Sequence, residues 1–355
     1  MIRLEPRFAE LAAMTNFSFL RGASHPEEMV AHAARLGLAG IGIADRNTLA
    51  GIVRAHVFAR ENAEALAGMR VVPGARLAFI DGAPDMLVYP KDRAAYGRLC
   101  RILTAGNLRA PKGECRLKLD DLLERGEGLQ VVALPPTRPL PPKGVQENAR
   151  LTTGHGGGGS GRGVARTLIE RGADPSPPTP LPGERGVLRR LREAFGERLW
   201  IGACLVYDAD MRGSLARRVA LARAVRAPLI ATNEPLMHAP ERRALADVLA
   251  CIREKTMLEA AGRLTQANAE RHLKSPGEMA RLFTEAPEAI GETIRFLDGL
   301  AFSLDELAHC YPEELREGYA TAQEALEAFA QAGARARYPD GVPERTREAL
   351  AHELA

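Results

Sequence analysis

Cysteine and histidine most readily ligate zinc or act as nucleophiles and bases, and this sequence does not group them. The five cysteines stand far apart, contain no Cys-x-x-Cys pair and are odd in number: Cys100, Cys115, Cys204, Cys251 and Cys310. That spacing argues against a zinc ribbon or a disulfide framework and predicts reduced thiols in a cytosolic protein. Structural or surface roles are the default interpretation for His25, His32, His56, His238 and His272.

Two further sequence patterns are candidates for binding phosphate groups. Glycines at 156–159 follow His155, but the Gly-Lys-Ser/Thr ending of a phosphate-binding loop is missing, so we interpret this segment as a linker. The formal net charge of +3 over 355 residues permits contact with nucleic acid without requiring it. A basic group could contact DNA phosphate, although such helical segments are more often solvated faces. It comprises Arg242, Arg243, Arg253, Lys255, Arg263 and Arg271.

The elements that would position these groups alternate between short apolar strands and amphipathic helices. Strands are predicted over 40–44, 70–79, 85–89, 129–134, 199–206 and 228–232. Helices are predicted over 24–36, 48–67, 92–103, 187–195 and 212–225. This alternation indicates a parallel sheet covered by helices, and periodicity alone leaves both an open sheet and a closed barrel possible.

Two segments depart from that alternation. Residues 137–186 are rich in proline and glycine and cannot bury enough apolar surface to offset their ordering entropy, so we predict a disordered insertion with one weak helix near 164–171. From residue 241 onward only helices are predicted. The last helical pattern runs to the final residue without a stop signal, which predicts a truncated sequence.

Eight strings in a fixed order resemble the N-terminal PHP-domain region of error-prone bacterial C-family DNA polymerases, the family of replicative polymerase alpha subunits. The resemblance covers nearly the whole chain except about 137–186. The strings are TNFSFLRGASHPEE at 15–28, DRNTLAG at 45–51, YGRLCR at 96–101, KGEC at 112–115, ATNE at 231–234, PERR at 240–243, DVLACIRE at 247–254 and NAERHLK at 268–274.

This resemblance implies an α/β fold, a distorted (β/α)7-like PHP barrel followed by an α-helical segment. The barrel would be built from 1–136 and 187–240, with 137–186 as the disordered insertion between its two parts. Residues 241–355 would form a helical connection toward a polymerase palm that is absent from this sequence. Without the palm, the acidic metal ligands needed for nucleotidyl transfer are missing.

Active PHP domains bind two or three metal ions through His, Asp and Glu at the strand ends and cleave phosphoesters. Matched position by position, only Asp45 and Glu234 keep ligand character here, and the next histidine falls near Asp85 or Met86. The other matched positions have lost it, at Ala12, Met14, Arg46, Arg76 and Leu236. We therefore expect no catalytic residue, no metal and no cofactor for this chain, with Arg46 paired to Asp45 or Glu234; Mg²⁺ belongs to the full-length family.

The resemblance further implies a part of an error-prone, translesion DNA polymerase that serves DNA replication and damage-induced repair. DNA-templated nucleotidyl transfer is the family reaction, and we expect this chain to act as a non-catalytic scaffold. Its implied partners are DNA, through the full-length polymerase, and accessory proteins of the error-prone polymerase complex. No stretch approaches the ~18 uninterrupted apolar residues of a membrane span, so a cytoplasmic protein is predicted. The alternatives are a free-standing PHP metal-dependent phosphoesterase or 3′–5′ exonuclease, and the functionless product of a broken gene.

Overall fold

The computed structural model describes residues 6–136, 182–207, 210–307 and 316–354. The chain divides into two compact units, Met1–Glu306 and Leu307–Ala355. Within the described part of the first unit, seven strands form one sheet in which each strand pairs with the next along the chain. These strands are β1 Ala9–Ala13, β2 Gly40–Arg46, β3 Arg70–Leu77, β4 Asp85–Pro90, β5 Leu129–Leu134, β6 Leu199–Cys204 and β7 Leu229–Thr232.

The prediction of a wholly parallel sheet was wrong at one strand. β4 runs antiparallel to both β3 and β5, whereas the other neighbouring pairs are parallel. Only residues 78–84 join β3 to β4, which is too short for the crossover that parallel strands require. β1 was not predicted at all, because its sequence AELAA consists of good helix formers.

The first and last strands are tied together by a buried carboxylate and by the backbone. Glu10 on β1 accepts hydrogen bonds from the hydroxyl of Thr232 at 2.5 Å and from the backbone N–H of Asn233 at 2.7 Å. The N–H of Met14 donates to the carbonyl of Pro235 at 3.0 Å. These links bring the two edges of the sheet together, so the seven strands form a nearly closed barrel and the predicted fold is confirmed.

Eleven helices accompany the strands in the part of the chain that the structure describes. Those of the first unit are α1 Pro26–Arg35, α2 Ala50–Glu61, α3 Arg93–Leu108, α4 Leu119–Arg125, α5 Pro182–Phe195, α6 Met211–Val225, α7 Arg243–Glu254, α8 Pro276–Leu282 and α9 Glu288–Asp298. In the second unit, α10 Ala322–Arg337 and α11 Glu344–Leu354 are linked by a hydrogen bond from Gln323 to the carbonyl of Leu354. No described helix is long and apolar enough to cross a membrane.

Only the C-terminal end of the predicted insertion at 137–186 falls on described residues, and the bounds of the insertion stay a prediction. Residues 182–186 belong to α5, which begins five residues before the predicted helix. The rest of the insertion, including the weak helix predicted near 164–171, lies outside the described residues.

Two apolar layers hold the barrel, one inside it and one between the sheet and the helices. Tyr89 fills much of the interior, and its hydroxyl donates to the carbonyl of Leu11 at 2.5 Å. A Cβ atom added at Gly42 or Gly74 would lie 2.2 Å or 2.3 Å from atoms of Tyr89. Glycine is therefore required on β2 and β3 because the tyrosine occupies the space where their side chains would project.

Helix α9 covers the end of the barrel where the parallel strands begin. Arg70 donates to the carbonyl of Leu297 at 2.7 Å, and Gln130 donates to that of Phe296 at 3.0 Å. The indole N–H of Trp200 donates to Glu292 at 2.7 Å. A helix assigned from the sequence to the connection after 240 is thus part of the first compact unit; the predicted domain boundary at 240 stays a prediction.

Candidate functional site

Strand alternation decides which of two neighbouring residues on β2 faces the barrel interior. Ile41 and Ile43 pack in the layer beneath the helices, whereas Ala44 belongs to the interior cluster. Because successive side chains of a strand point to opposite faces, Asp45 falls on the helix side and Arg46 on the interior side. Of this predicted Asp-Arg pair, the arginine therefore enters the mouth, the end of the barrel at which the parallel strands finish.

Both carboxylate oxygens of Asp45 accept hydrogen bonds from the turn that follows β1. Asp45 is 1% exposed, and its Oδ1 accepts hydrogen bonds from the Thr15 N–H at 2.8 Å and the Ser18 hydroxyl at 2.6 Å. Its Oδ2 accepts from the Thr15 hydroxyl at 2.8 Å and would lie 2.2 Å from a Cβ at Gly51 on α2. Burial raises the pKa of Asp45, and these hydrogen bonds oppose that rise. The carboxylate thus organises a turn, with no free oxygen for a metal.

At the mouth, Arg76 on β3 bridges two carboxylates. Its Nε lies 2.8 Å from Asp85 Oδ2, and its Nη1 lies 2.5 Å from Glu234 Oε2. Arg46 Nη1 approaches the same Asp85 oxygen at 3.0 Å, and Arg271 Nη2 approaches Glu234 Oε2 at 3.3 Å. We call these five residues the mouth network. The expectation that Arg46 pairs with Asp45 or Glu234 was wrong, because Asp45 faces the other layer and Arg76 reaches Glu234 first.

Glu234 is held in an unusual backbone conformation by Arg271. Its φ is +45°, a left-handed region that costs a residue with a side chain ~1 kcal/mol or more. Arg271 secures that conformation by donating from Nε and Nη2 to the Glu234 carbonyl at 2.9 and 2.7 Å. Burial raises the pKa of Glu234, but the charges of Arg76 and Arg271 outweigh it and lower the pKa to about 2. Glu234 is therefore a carboxylate anion that is paired with the guanidinium groups of Arg76 and Arg271.

The remaining matched positions serve packing. Ala12, Met14 and Leu236 are all buried, with exposures of 0%, 5% and 7%. The Leu236 N–H donates to the Arg271 carbonyl at 2.9 Å, which ties this segment to the loop that carries Arg271. Burial also raises the pKa of Cys204 at the end of β6, so that thiol is protonated at neutral pH. None of these four side chains supplies a metal-binding oxygen or an imidazole.

Glu10 is a buried titratable residue that the sequence did not indicate. It is 1% exposed and accepts hydrogen bonds from Ala12, Thr232 and Asn233. Burial raises the pKa of Glu10 to about 7, although the three hydrogen bonds oppose the rise. The available signal was a single acidic residue inside the apolar run FAELAA. Its position between β1 and β7 gives it a role in closing the barrel.

The predicted basic group does not form one free face. Arg243 pairs with Asp247 at 3.1 Å, Arg271 belongs to the mouth network, and Arg242 pairs with Glu28. Arg253 donates to the Leu20 carbonyl at 2.8 Å and pairs with Glu254 at 2.8 Å. Most of this group therefore holds the loops around the barrel mouth together.

A divalent metal does not fit these residues. Such ions need several carboxylate, imidazole or thiolate ligands converging on one point. Among the described residues, no group of three or more His, Cys, Asp and Glu side chains lies together in that way. Arg46, Arg76 and Arg271 bring fixed positive charges to the mouth, and Asp85 and Glu234 are taken up by them.

Comparison with known proteins finds a family match over the first part of the barrel. Residues 10–145 match the family model described as the PHP domain. A putative metal-dependent phosphoesterase from Bifidobacterium adolescentis aligns with 65% of this chain and 88% of its own, at 15% identity and a TM-score of 0.39. The chain contains a PHP domain.

Comparison with individual protein sequences gives a more specific similarity than the family model does. The chain is 44% identical to the error-prone DNA polymerase of Rhodopseudomonas palustris (strain HaA2), over 98% of this chain and 30% of that protein. It is 45% identical to error-prone DNA polymerase 1 of Rhizobium meliloti (strain 1021), over 98% of this chain and 27% of that protein. The chain is thus a PHP-domain relative of the error-prone DNA polymerases, as the sequence resemblance predicted, and spans about 30% of the length of such a relative.

Proposed function

We propose that this chain is the PHP part of an error-prone DNA polymerase and acts there as a metal-free, non-catalytic scaffold. The observation that carries the proposal is the bridge from Arg76 to Asp85 and Glu234, at the strand ends where an active PHP domain would bind metal. The high identity to error-prone DNA polymerases over nearly the whole chain supports the assignment of the parent activity.

In this proposal the parent polymerase carries out DNA-templated nucleotidyl transfer during replication and damage-induced repair. Mg²⁺ would serve that reaction in the palm, because aligning a 3′ hydroxyl with a triphosphate needs metal-binding carboxylates. DNA and the accessory proteins of the error-prone complex are the proposed partners, and the cytoplasm is the proposed location. The barrel contributes a preformed surface for the rest of the polymerase.

Metal binding and hydrolysis test the catalytic half of the proposal. The purified chain is incubated with Zn²⁺ and Mn²⁺, dialysed and assayed for bound metal by elemental analysis, alongside cleavage of a labelled DNA 3′ end. We expect less than stoichiometric metal and no cleavage above a buffer control. Stoichiometric metal accompanied by cleavage that EDTA abolishes would mean that the barrel is a working nuclease.

A second measurement tests the scaffold half. The polymerase segment that relatives carry beyond the matched region is co-expressed with this chain, and the purified complex is assayed for primer extension. We expect the segment to be soluble and active only with the chain present. Equal solubility and activity without the chain would contradict the scaffold role.

A further inference from the structure

Three arginines at the barrel mouth belong to the loop after β1 or to segments that contact it. Arg21 lies in the loop after β1, Arg46 ends β2, and Arg253 lies in the last turn of α7. We call these three residues the arginine triad. Only Arg46 also belongs to the mouth network, so the triad extends that network toward the loop between β1 and α1.

Backbone contacts hold the triad together. Arg253 Nη1 donates to the Leu20 carbonyl at 2.8 Å, which places this guanidinium beside the residue that precedes Arg21. The Arg46 N–H donates to the Ser18 hydroxyl at 2.9 Å, and the Arg21 N–H donates to the Ser18 carbonyl at 2.8 Å. One short loop thus contacts both other members, and its own arginine completes the group.

The triad has hydrogen-bonding capacity that the protein does not use. Among the described residues, no hydrogen bond or ion pair involves the Arg21 guanidinium. Arg46 uses only Nη1, toward Asp85, and Arg253 uses Nε and Nη1. The side chains of Arg46 and Arg253 are 34% and 26% exposed, so both are partly accessible to solvent.

Bringing these cations together is unfavourable without an anion. Burial, followed by the charges of Arg46 and Arg253, lowers the pKa of Arg21, and Asp85 opposes that effect. Asp85 is already shared between Arg46 and Arg76, and the other carboxylate beside the triad, Glu254, pairs with Arg253. Within the described part of the chain, Arg21 therefore has no carboxylate of its own, and the mouth carries an excess of positive charge.

We propose that the arginine triad binds a phosphate dianion, as free phosphate or as the terminal phosphate of a nucleic-acid strand. Guanidinium groups match tetrahedral oxyanions because their N–H donors form paired, planar contacts. A dianion also suits the site better than a phosphodiester, since two negative charges offset more of the excess. The inference rests on the proposed function in one respect, that no metal occupies the mouth.

Thermal unfolding of the whole chain tests the inference. The unfolding temperature is compared in sodium phosphate and in sodium chloride of equal ionic strength, both containing EDTA, for the wild type, Arg21→Gln and Arg101→Gln. Arg101 is a matched control because it is an exposed arginine on α3. We expect phosphate to raise the unfolding temperature of the wild type and of Arg101→Gln but not that of Arg21→Gln.

Two further comparisons of unfolding temperature distinguish a phosphate-binding role of Arg21 from a purely structural one. In chloride, Arg21→Gln should unfold at or above the wild-type temperature, because it removes repulsion and breaks no side-chain hydrogen bond or ion pair among the described residues. Arg21→Lys, which keeps the charge but loses the planar fork, should retain less than the wild-type phosphate response. No difference between phosphate and chloride for the wild type, or an undiminished response in Arg21→Gln, would overturn the inference and leave the proposed function intact. A phosphate response that appears only when Mn²⁺ replaces the EDTA would overturn both.

The source of the phosphate is distinguished by competition. A fluorescent oligonucleotide with a 5′ phosphate is compared with the same strand ending in a 5′ hydroxyl, and inorganic phosphate is added to each. Tighter binding of the phosphorylated strand, reversed by inorganic phosphate and weakened in Arg21→Gln, would identify a strand end. A response to inorganic phosphate with equal binding of the two strands would identify the free ion.

Discussion

Arg76 Nη1 and Glu234 Oε2 lie 2.5 Å apart at the barrel mouth and join β3 to the segment just beyond β7. These strands are not neighbours in the sheet, so the ion pair crosses the mouth. The two side chains are 15% and 16% exposed, which limits screening by water. A fixed internal cation thus holds together residues that the family resemblance assigns to a metal site.

Replacing Arg76 with Met should destabilise the fold by about 2–3 kcal/mol, because it leaves two largely buried carboxylates short of a partner. The loss falls below that of a fully buried pair since Arg46 and Arg271 remain nearby. Urea unfolding followed through Trp200, the single tryptophan, measures the change. The control is Arg98→Met, whose partner Glu127 is 82% exposed, and it should cost below ~1 kcal/mol. Equal losses for the two variants would contradict the bridging role.

Protonation of Glu234 should lower the stability of the fold at acid pH. The pKa of Glu234 is lowered from 4.5 to about 2 in the folded state, so its stabilising contribution is present above pH 4.5 and is lost as the pH falls toward 2. The contribution amounts to about 3 kcal/mol. Unfolding free energies at several pH values between 5 and 2 would measure the loss, and Glu234→Gln should show a shallower decline. Parallel declines in the two proteins would assign the acid sensitivity to other groups.

Glu10 should produce the opposite trend at higher pH. Its pKa is raised from 4.5 to about 7, so the folded protein holds this proton more tightly than the unfolded chain does. The associated stability is complete below pH 4.5 and falls by about 3 kcal/mol as the pH rises to 7. Unfolding measured between pH 4.5 and 8 should reveal this decline in the wild type and a flatter profile in Glu10→Gln. A wild-type free energy of unfolding that rises with pH over this range would contradict the predicted contribution of Glu10.

Gly42→Ala should disturb the barrel interior. The added methyl would lie 2.2 Å from the Tyr89 hydroxyl oxygen, and overpacking of this kind costs about 1–3 kcal/mol. Gly97→Ala is the matched control on α3, where nothing lies within 4 Å of the new atom and helix propensity favours alanine by about 1 kcal/mol. Urea unfolding should therefore give changes of opposite sign. Destabilisation by both variants would point to a general intolerance of substitution.

The sequence predicted most of the elements and the positions of the site, but not how its side chains pair. Apolar runs located β2 through β7, and position-by-position comparison with the PHP family located Arg46, Arg76 and Glu234. Three features were not predicted, each for a different physical reason. β4 reverses because its connection is short, β1 extends despite helix-forming residues, and Arg46 contacts Asp85 because alternation along β2 turns Asp45 away. Glu10 was not selected because its partners Thr232 and Asn233 lie more than 200 residues away.

The helix that seals the base of the barrel is encoded after all seven strands. During synthesis on the ribosome, Tyr89 and Trp200 therefore lack the Phe296 side chain, which packs edge-on against both rings, until α9 has emerged. A nascent chain that has reached residue 240 holds every strand but leaves its inner apolar cluster open at one end. Completion of the barrel thus waits for some sixty further residues of translation beyond its last strand.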